Sequence, residues 1–158
     1  MPASSEHDTP PLTAHIVEGL YTEALVLADE ARHVFDNASI HRLAEAPDPP
    51  AVALSIEGLR TTTRVMHILA WLLNQRAFLA GEITERQLHL HGALPPDRDA
   101  DPQQIAHLDD AARALISASQ HLHARLARLD RMQRETLNAK APPAPVHHLQ
   151  QKLMSAFS

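Results

Sequence analysis

Apolar residues recur at intervals of three and four positions along three long stretches of the chain, which is the repeat of an α-helix buried on one face. These stretches predict helices over residues 12–35, 49–80 and 102–139, with a short helix over 84–90 between the second and the third. Leu and Ala supply most of the apolar content, and no stretch alternates with the period of a strand. The pattern predicts an all-α fold: a three-helix bundle with a short extra helix.

Proline and glycine mark the expected ends of the helices. Asp48 followed by Pro49, and Asp101 followed by Pro102, each pair an N-cap residue with a proline in the first helical position. Gly81 follows the second periodic stretch, where a glycine commonly closes a helix in the left-handed conformation. The helical domain is therefore predicted over residues 12–139.

The segments outside this domain are short and rich in small and polar residues. Residues 1–11 are predicted to be a flexible leader and residues 140–158 a flexible tail. Part of the tail carries apolar residues on one helical face, so it is interpreted either as a short amphipathic docking segment or as a disordered end. The candidate docking residues are Leu149, Leu153 and Phe157.

The central helix carries two apolar seams on opposite sides. One seam consists of Val52, Ile56, Leu59, Thr63, Met66, Ala70, Leu73, Ala77 and Ala80. The other consists of Val65, Ile68, Leu72 and Leu79. A helix in a small bundle usually needs one broad apolar face, so a second face implies another covering layer. That layer is either the short extra helix or the same surface of a second copy. We favour the second copy and assign the Val65 to Leu79 seam to a homodimer interface.

A third row on this helix is polar and aromatic. It consists of Glu57, Arg60, Arg64, His67, Trp71, Asn74 and Phe78. One interpretation is packing, with a Glu57–Arg60 pair and Trp71 at the edge of the bundle. The other is a partner-binding surface, because Trp and Arg are enriched in interface hot spots. The adjacent Thr61, Thr62 and Thr63 are expected to satisfy their hydroxyls on carbonyls of the preceding turn.

Composition excludes several classes of function. The 158-residue chain has no Cys, a net charge of −5 and a pI near 6.1, which argue against disulfides, thiol catalysis and nucleic acid as the main partner. The charge-free apolar run between Arg64 and Arg76 is too short to span a membrane. No secretory signal is visible at the N-terminus, so a cytoplasmic protein is expected.

No catalytic or cofactor motif is recognisable in the chain. A nucleophile elbow, a P-loop, a dinucleotide fingerprint and an HExxH motif are all absent from the sequence. The pairs His89/His91 and His121/His123 are two positions apart, which on a helix points the rings in different directions. We therefore expect no enzyme activity, no cofactor and no metal site.

Residues 53–84 carry the most specific pattern in the sequence. Within "ALSIEGLRTTTRVMHILAWLLNQRAFLAGEIT", the elements LRTTTR, WLLNQRA and GEIT correspond to Leu59–Arg64, Trp71–Ala77 and Gly81–Thr84. This stretch resembles the signature of the RcdA-like family of bacterial proteolysis adaptors, which regulate degradation of the cell-cycle regulator CtrA. The matched stretch is about a fifth of the chain.

The resemblance implies a dimeric three-helix bundle without catalytic activity. It implies that the protein helps to deliver protein cargo, such as a cell-cycle transcriptional regulator, to the ClpXP protease together with a CpdR-like response regulator. The candidate partner-binding residues are then Arg60, Arg64, His67, Trp71, Gln75, Arg76 and Phe78. The alternative is a small helical ligand- or metal-binding protein with a cavity lined by Trp71 and histidines.

Overall fold

Every regular element in the described part of the chain is an α-helix, as the sequence predicts. The computed structural model describes residues 12–35, 44–45, 47–140, 150 and 152–155. The helices are α1 (Ala14–Phe35), α2 (Pro49–Leu79), α3 (Glu85–His91), α4 (Pro102–Ile105) and α5 (Asp110–Lys140). The three long helices α1, α2 and α5 pack against one another, and α3 lies against α2 and α5. This is an all-α bundle.

Helix α1 packs with one face inward. Its buried residues are Val17, Leu20, Ala24, Leu27 and Ala31. Their spacing of three and four positions keeps them on one side of the helix, where they meet α2 and α5. The small side chains of Ala24 and Ala31 lie in the same stripe as the two leucines. Helix α1 thus covers one flank of α2 with a strip of apolar surface.

Helix α2 begins and ends as its capping residues predict. The Asp48 carboxylate accepts a hydrogen bond from the Ala51 amide at 2.8 Å, and Pro49 takes the first helical position. At the other end Gly81 has a φ of +75°. The amides of Gly81 and Glu82 donate to the carbonyls of Phe78 and Ala77, which is the Schellman arrangement.

The predicted start of the third helix at Pro102, with Asp101 as its N-cap, is confirmed, but the prediction of one continuous helix over residues 102–139 is wrong. Residues 102–105 form only the short α4, and α5 begins at Asp110. The Asp109 carboxylate accepts a hydrogen bond from the Ala112 amide at 2.8 Å. This bond competes with the backbone hydrogen bonds that would continue the preceding helical turn. The Arg113 guanidinium donates hydrogen bonds to the carbonyls of Ile105 and Ala106 at 3.1 and 3.0 Å. Helical periodicity continues across this break, which is why the sequence pattern did not reveal it.

The inward face of α2 is the seam that the sequence analysis assigned to a dimer. Val65, Ile68 and Leu72 are 4%, 0% and 0% exposed, and they lie in the core with residues of α1 and α5. Of this seam only Leu79, at 42%, is substantially exposed. A side chain already enclosed within one chain cannot contact a second copy. The assignment of Val65, Ile68 and Leu72 to the dimer interface is therefore wrong.

The described helices differ from membrane spans in length or in apolar character. Among the residues that the structure describes, no helix is both long enough and apolar enough to cross a bilayer. Residues 152–155 of the predicted tail are helical, and Leu153 there is 56% exposed. Leu149 and Phe157, the other candidate docking residues, lie outside the described residues.

Replacement of Gly81 by Ala tests the capping of α2. An alanine in the left-handed conformation is expected to lower the free energy of unfolding by about 1 kcal/mol. The matched control is Gly19→Ala in α1, where an added Cβ meets no atom within 4 Å. This control should raise stability by roughly 0.5–1 kcal/mol, since alanine has the higher helix propensity. Urea unfolding measures both changes, and equal shifts in one direction would contradict this account of Gly81.

Candidate functional site

Arg64 lies inside the protein and joins α2 to two other segments. Its Nε donates to Asp97 Oδ2 at 2.7 Å, and its Nη1 donates to Ser119 Oγ at 2.9 Å. Asp97 belongs to the segment between α3 and α4, whereas Ser119 lies on α5. The Arg64 residue is 1% exposed, so these are interior contacts. They connect three separate parts of the fold through one guanidinium.

Trp71 makes a second polar connection between helices. Its Nε1 donates to Asp130 Oδ1 at 2.8 Å, and Asp130 Oδ2 accepts from Arg134 Nε at 3.1 Å. Arg134 in turn donates from Nη1 to the His89 carbonyl at 3.1 Å. The indole is 1% exposed and packs in the main core cluster. Side chains of α2 and α5 are thereby tied to the backbone of α3.

Gln75 completes the row with a reciprocal amide pair. Its Nε2 donates to Gln133 Oε1 at 2.9 Å, and Gln133 Nε2 donates back to Gln75 Oε1 at 2.9 Å. Gln75 is 1% exposed, and Gln133 on α5 is half-buried. Two amides arranged in this way satisfy one donor and one acceptor on each side chain. The pair fixes the register of α2 against the second half of α5.

These contacts place three of the candidate partner-binding residues in the interior. Arg64, Trp71 and Gln75 lie at intervals of seven and four along α2, on the side that faces α5. All three are 1% exposed and most of their polar side-chain atoms bind the chain itself, so they do not form a surface for another protein. The packing interpretation of the polar row applies to them, and the prediction that they contact a partner is corrected. Trp71 packs in the main core cluster.

The other four candidates keep some exposure. Arg60 Nη1 binds Glu57 Oε1 at 2.7 Å, and the Glu57 side chain is fully buried. Arg76 Nε binds Glu18 Oε1 at 2.7 Å, and its guanidinium lies 4.7 Å from the centre of the Tyr21 ring. His67 and Phe78 are half-buried. These four residues point away from α2 in more than one direction, so they do not form a single patch.

The partners of the buried row were missed by sequence reasoning. Asp97, Ser119, Asp130 and Gln133 lie 33 to 59 positions from the residues that they bind. Periodicity within one helix carries no information about such distant pairs. The available signal was the row itself, because a polar side chain on the buried side of a helix requires a partner.

An apolar stripe runs along the outward side of α2, opposite the core. We call it the outer stripe, and it consists of Leu59, Thr63, Met66, Ala70, Leu73 and Ala77. Leu59, Met66 and Leu73 are 71%, 63% and 48% exposed and lie seven residues apart. This is the first of the two apolar seams found in the sequence. The two seams lie on opposite sides of α2, as predicted. The sequence analysis assigned the Val65 to Leu79 seam to the dimer interface, whereas Val65, Ile68 and Leu72 face the core and the outer stripe is exposed.

Comparison with known proteins gives one family relationship. The sequence profile of a family described as "Protein of unknown function (DUF1465)" matches residues 9–157. The chain belongs to the DUF1465 family. No curated protein and no solved structure matches it.

Buried polar atoms without partners also occur in this DUF1465 protein. They are Glu57 Oε2, Thr61 Oγ1, Arg64 Nη2 and His89 Nδ1. The expectation that all three threonine hydroxyls bond to preceding carbonyls is wrong for Thr61, which is buried without such a bond. Thr62 and Thr63 are exposed. Arg64 Nη2 is the one cationic group in this set.

The histidines of the DUF1465 chain that the structure describes are dispersed over several elements. Within the described ranges, no three His, Asp or Glu residues are grouped closely enough to hold a metal ion. His123 Nε2 lies 2.9 Å from the Pro95 carbonyl oxygen, and this contact ties α5 to the segment before α4. Its role in the described structure is one of packing and hydrogen bonding.

The amide pair offers a test of whether the polar row holds the bundle together. Gln75→Leu leaves the Gln133 amide without its partner and should lower the free energy of unfolding by about 1–2 kcal/mol. The double change of Gln75 and Gln133 to Leu removes both amides and should recover most of that loss. Chemical unfolding of the four proteins in the double-mutant cycle gives the coupling energy. Additive effects would show that the two amides do not interact.

Proposed function

We propose that the protein is a non-enzymatic, homodimeric adaptor that helps to deliver protein cargo to the ClpXP protease. The structural observation that carries the proposal is the outer stripe, which exposes large apolar side chains on the longest continuous face of α2. The delivery role itself rests on the resemblance of residues 53–84 to the RcdA-like adaptors. The fold and the stripe support the interaction part of the proposal, and the resemblance supports the choice of protease.

The stripe has the spacing of a helix-pairing surface. Its six residues are separated by four, three, four, three and four positions, which is the heptad pattern of two helices packed side by side. Large residues at 59, 66 and 73 alternate with the smaller Thr63, Ala70 and Ala77. Such alternation lets the large residues of one helix fit beside the small residues of another. A helix is therefore the partner element that this surface accommodates best.

We assign the stripe to the same helix of a second copy. A closed two-fold dimer uses the same patch on both subunits, so the patch must be complementary to itself. In an antiparallel pairing centred on Met66 and Ala70, Leu59 of each copy approaches the Leu73 and Ala77 end of the other. The large and small residues then alternate across the interface. This pairing replaces the dimer seam that the sequence analysis placed on the buried side.

An adaptor of this kind acts through proximity. Holding cargo beside the protease raises its effective concentration at the entry pore and requires no new chemistry. The implied partners are ClpX, a CpdR-like response regulator and the cargo protein. A dimer presents each of its binding surfaces twice, which increases avidity for a multimeric protease.

Charge in the outer stripe should prevent dimer formation. Sedimentation velocity at low micromolar concentration is expected to give a dimer for the wild type and a monomer for the double change Met66→Glu and Leu73→Glu. Burying these carboxylates against a second copy without partners is unfavourable. The control is Leu90→Glu on α3, since Leu90 is 59% exposed but lies outside the stripe. A monomeric wild type would refute the dimer assignment.

Delivery to the protease is tested in a reconstituted degradation assay. Purified ClpXP, a CpdR-like regulator and a CtrA-like cargo are incubated with and without the protein, and the loss of cargo is followed on gels. We expect the wild type to accelerate cargo loss at least severalfold, and the Leu90→Glu control to do the same. Unchanged cargo lifetime with a dimeric, folded wild type would reject the adaptor role while leaving the dimer intact.

A further inference from the structure

A cavity of about 540 Å³ opens between α2 and the segment that precedes α4. Its walls are formed by Leu59, Arg60, Thr63, Arg64, His67, Pro96, Asp97 and Arg98. Three of these residues were candidate partner-binding residues from the sequence, and two of the cationic ones come from the same turn of α2. The volume is within the range of small-molecule sites, about 300–1,000 Å³.

Arg64 lines this cavity and has one buried donor without a partner. Its Nε and Nη1 are held by Asp97 and Ser119, whereas Nη2 is buried and has no partner among the described residues. A buried charged group without a hydrogen-bond partner is costly, and native structures usually provide one. The two existing bonds fix the guanidinium plane, so the third nitrogen is preorganised. The Arg64 side chain has no exposed surface, so its guanidinium contributes positive charge to the cavity wall rather than a direct contact with a ligand.

Other cationic groups surround the same space. Arg60 uses Nη1 for the Glu57 carboxylate and has further donors. The Arg98 side chain is exposed and makes no hydrogen bond or ion pair within the described part of the chain. His67 adds an imidazole. The wall contains three guanidinium groups and one carboxylate, that of Asp97. The Glu57 carboxylate forms an ion pair with Arg60. The cavity therefore has an excess of positive charge in a chain whose net charge is −5.

We propose that this cavity binds an organic oxyanion, a carboxylate or phosphate group that the Arg98 guanidinium contacts directly, while the guanidinium groups of Arg60 and Arg64 add positive charge to the wall. Guanidinium groups suit both oxyanions because their donors match the geometry of the paired oxygens. The apolar walls from Leu59 and Pro96, together with the volume, favour an anion that carries carbon rather than an inorganic ion alone. The proposal stands independently of the adaptor role and of the dimer.

The test uses the full chain and two simple probes. Succinate and inorganic phosphate are titrated separately by calorimetry, with sodium chloride at matched ionic strength as the reference. Amide resonances of residues 59–67, 97 and 98 are followed by NMR in the same titrations. The two probes distinguish a carboxylate from a phosphate as the preferred group. We expect saturable binding of at least one probe and shifts confined mainly to these two segments.

Charge reversal at the rim provides the decisive variant. Arg98→Glu should weaken binding at least tenfold, because it replaces an attractive contact by a repulsive one near the anion. Arg98 is exposed, so the fold is expected to tolerate the change. The matched control is Arg128→Glu, an exposed arginine of α5 that does not line the cavity, and it should leave affinity within about twofold.

Three results would overturn the proposal. These are heats that follow ionic strength alone, equal affinity in Arg98→Glu and wild type, or resonance shifts spread evenly over all arginine-bearing surfaces. Each of them would show that the excess charge attracts anions only diffusely. Binding lost in Arg98→Glu and kept in Arg128→Glu, with shifts at 59–67, would establish the site.

Discussion

The architecture depends on the need to pair polar side chains that α2 places inside the protein. Arg64 and Gln75 are each 1% exposed, and Glu57 is fully buried. Leaving any of these groups without a partner costs about 1–3 kcal/mol, a large share of the stability of a small domain. Glu57 is paired within α2 by Arg60, whereas the partners of Arg64 and Gln75 lie on α5 and in the segment before α4 and must therefore occupy fixed positions. Apolar packing alone would tolerate several registers between α2 and α5, whereas these bonds allow one.

This constraint also determines which side of α2 stays outside. The polar row faces α5, and the adjacent Val65, Ile68 and Leu72 face α1 and the core. Once those contacts are made, Leu59, Met66 and Leu73 on the opposite side of the helix keep 71%, 63% and 48% exposure in the described part of the chain. The outer stripe is thus a consequence of the pairing, and it is as regular in spacing as the buried seam. A face that is regular, apolar and uncovered is typical of a surface used for association.

The sequence predicted the helices well and their orientation poorly, for one physical reason. Helix ends are determined locally, by residues such as Asp48 and Gly81 that act within one turn. Their effect can therefore be predicted from adjacent residues in the sequence. Orientation is decided by contacts between distant residues, such as Trp71 with Asp130. Two seams of similar apolar content offered no local basis for choosing between them. The break before Asp110 was not predicted because the hydrogen bond between the Asp109 carboxylate and the Ala112 amide leaves the spacing of apolar residues unchanged.

The proposed oxyanion cavity and the outer stripe share part of α2, and this neighbourhood has thermodynamic consequences. Leu59 and Thr63 belong to the stripe and also line the cavity. An anion held in this cavity would lie beside the end of a helix-pairing surface, and each binding event would alter the surroundings of the other. Any such coupling is reciprocal, because the free energy of the doubly bound state is independent of the order of binding. Arg64 would then connect the bundle interior, through Ser119, with events at the protein surface.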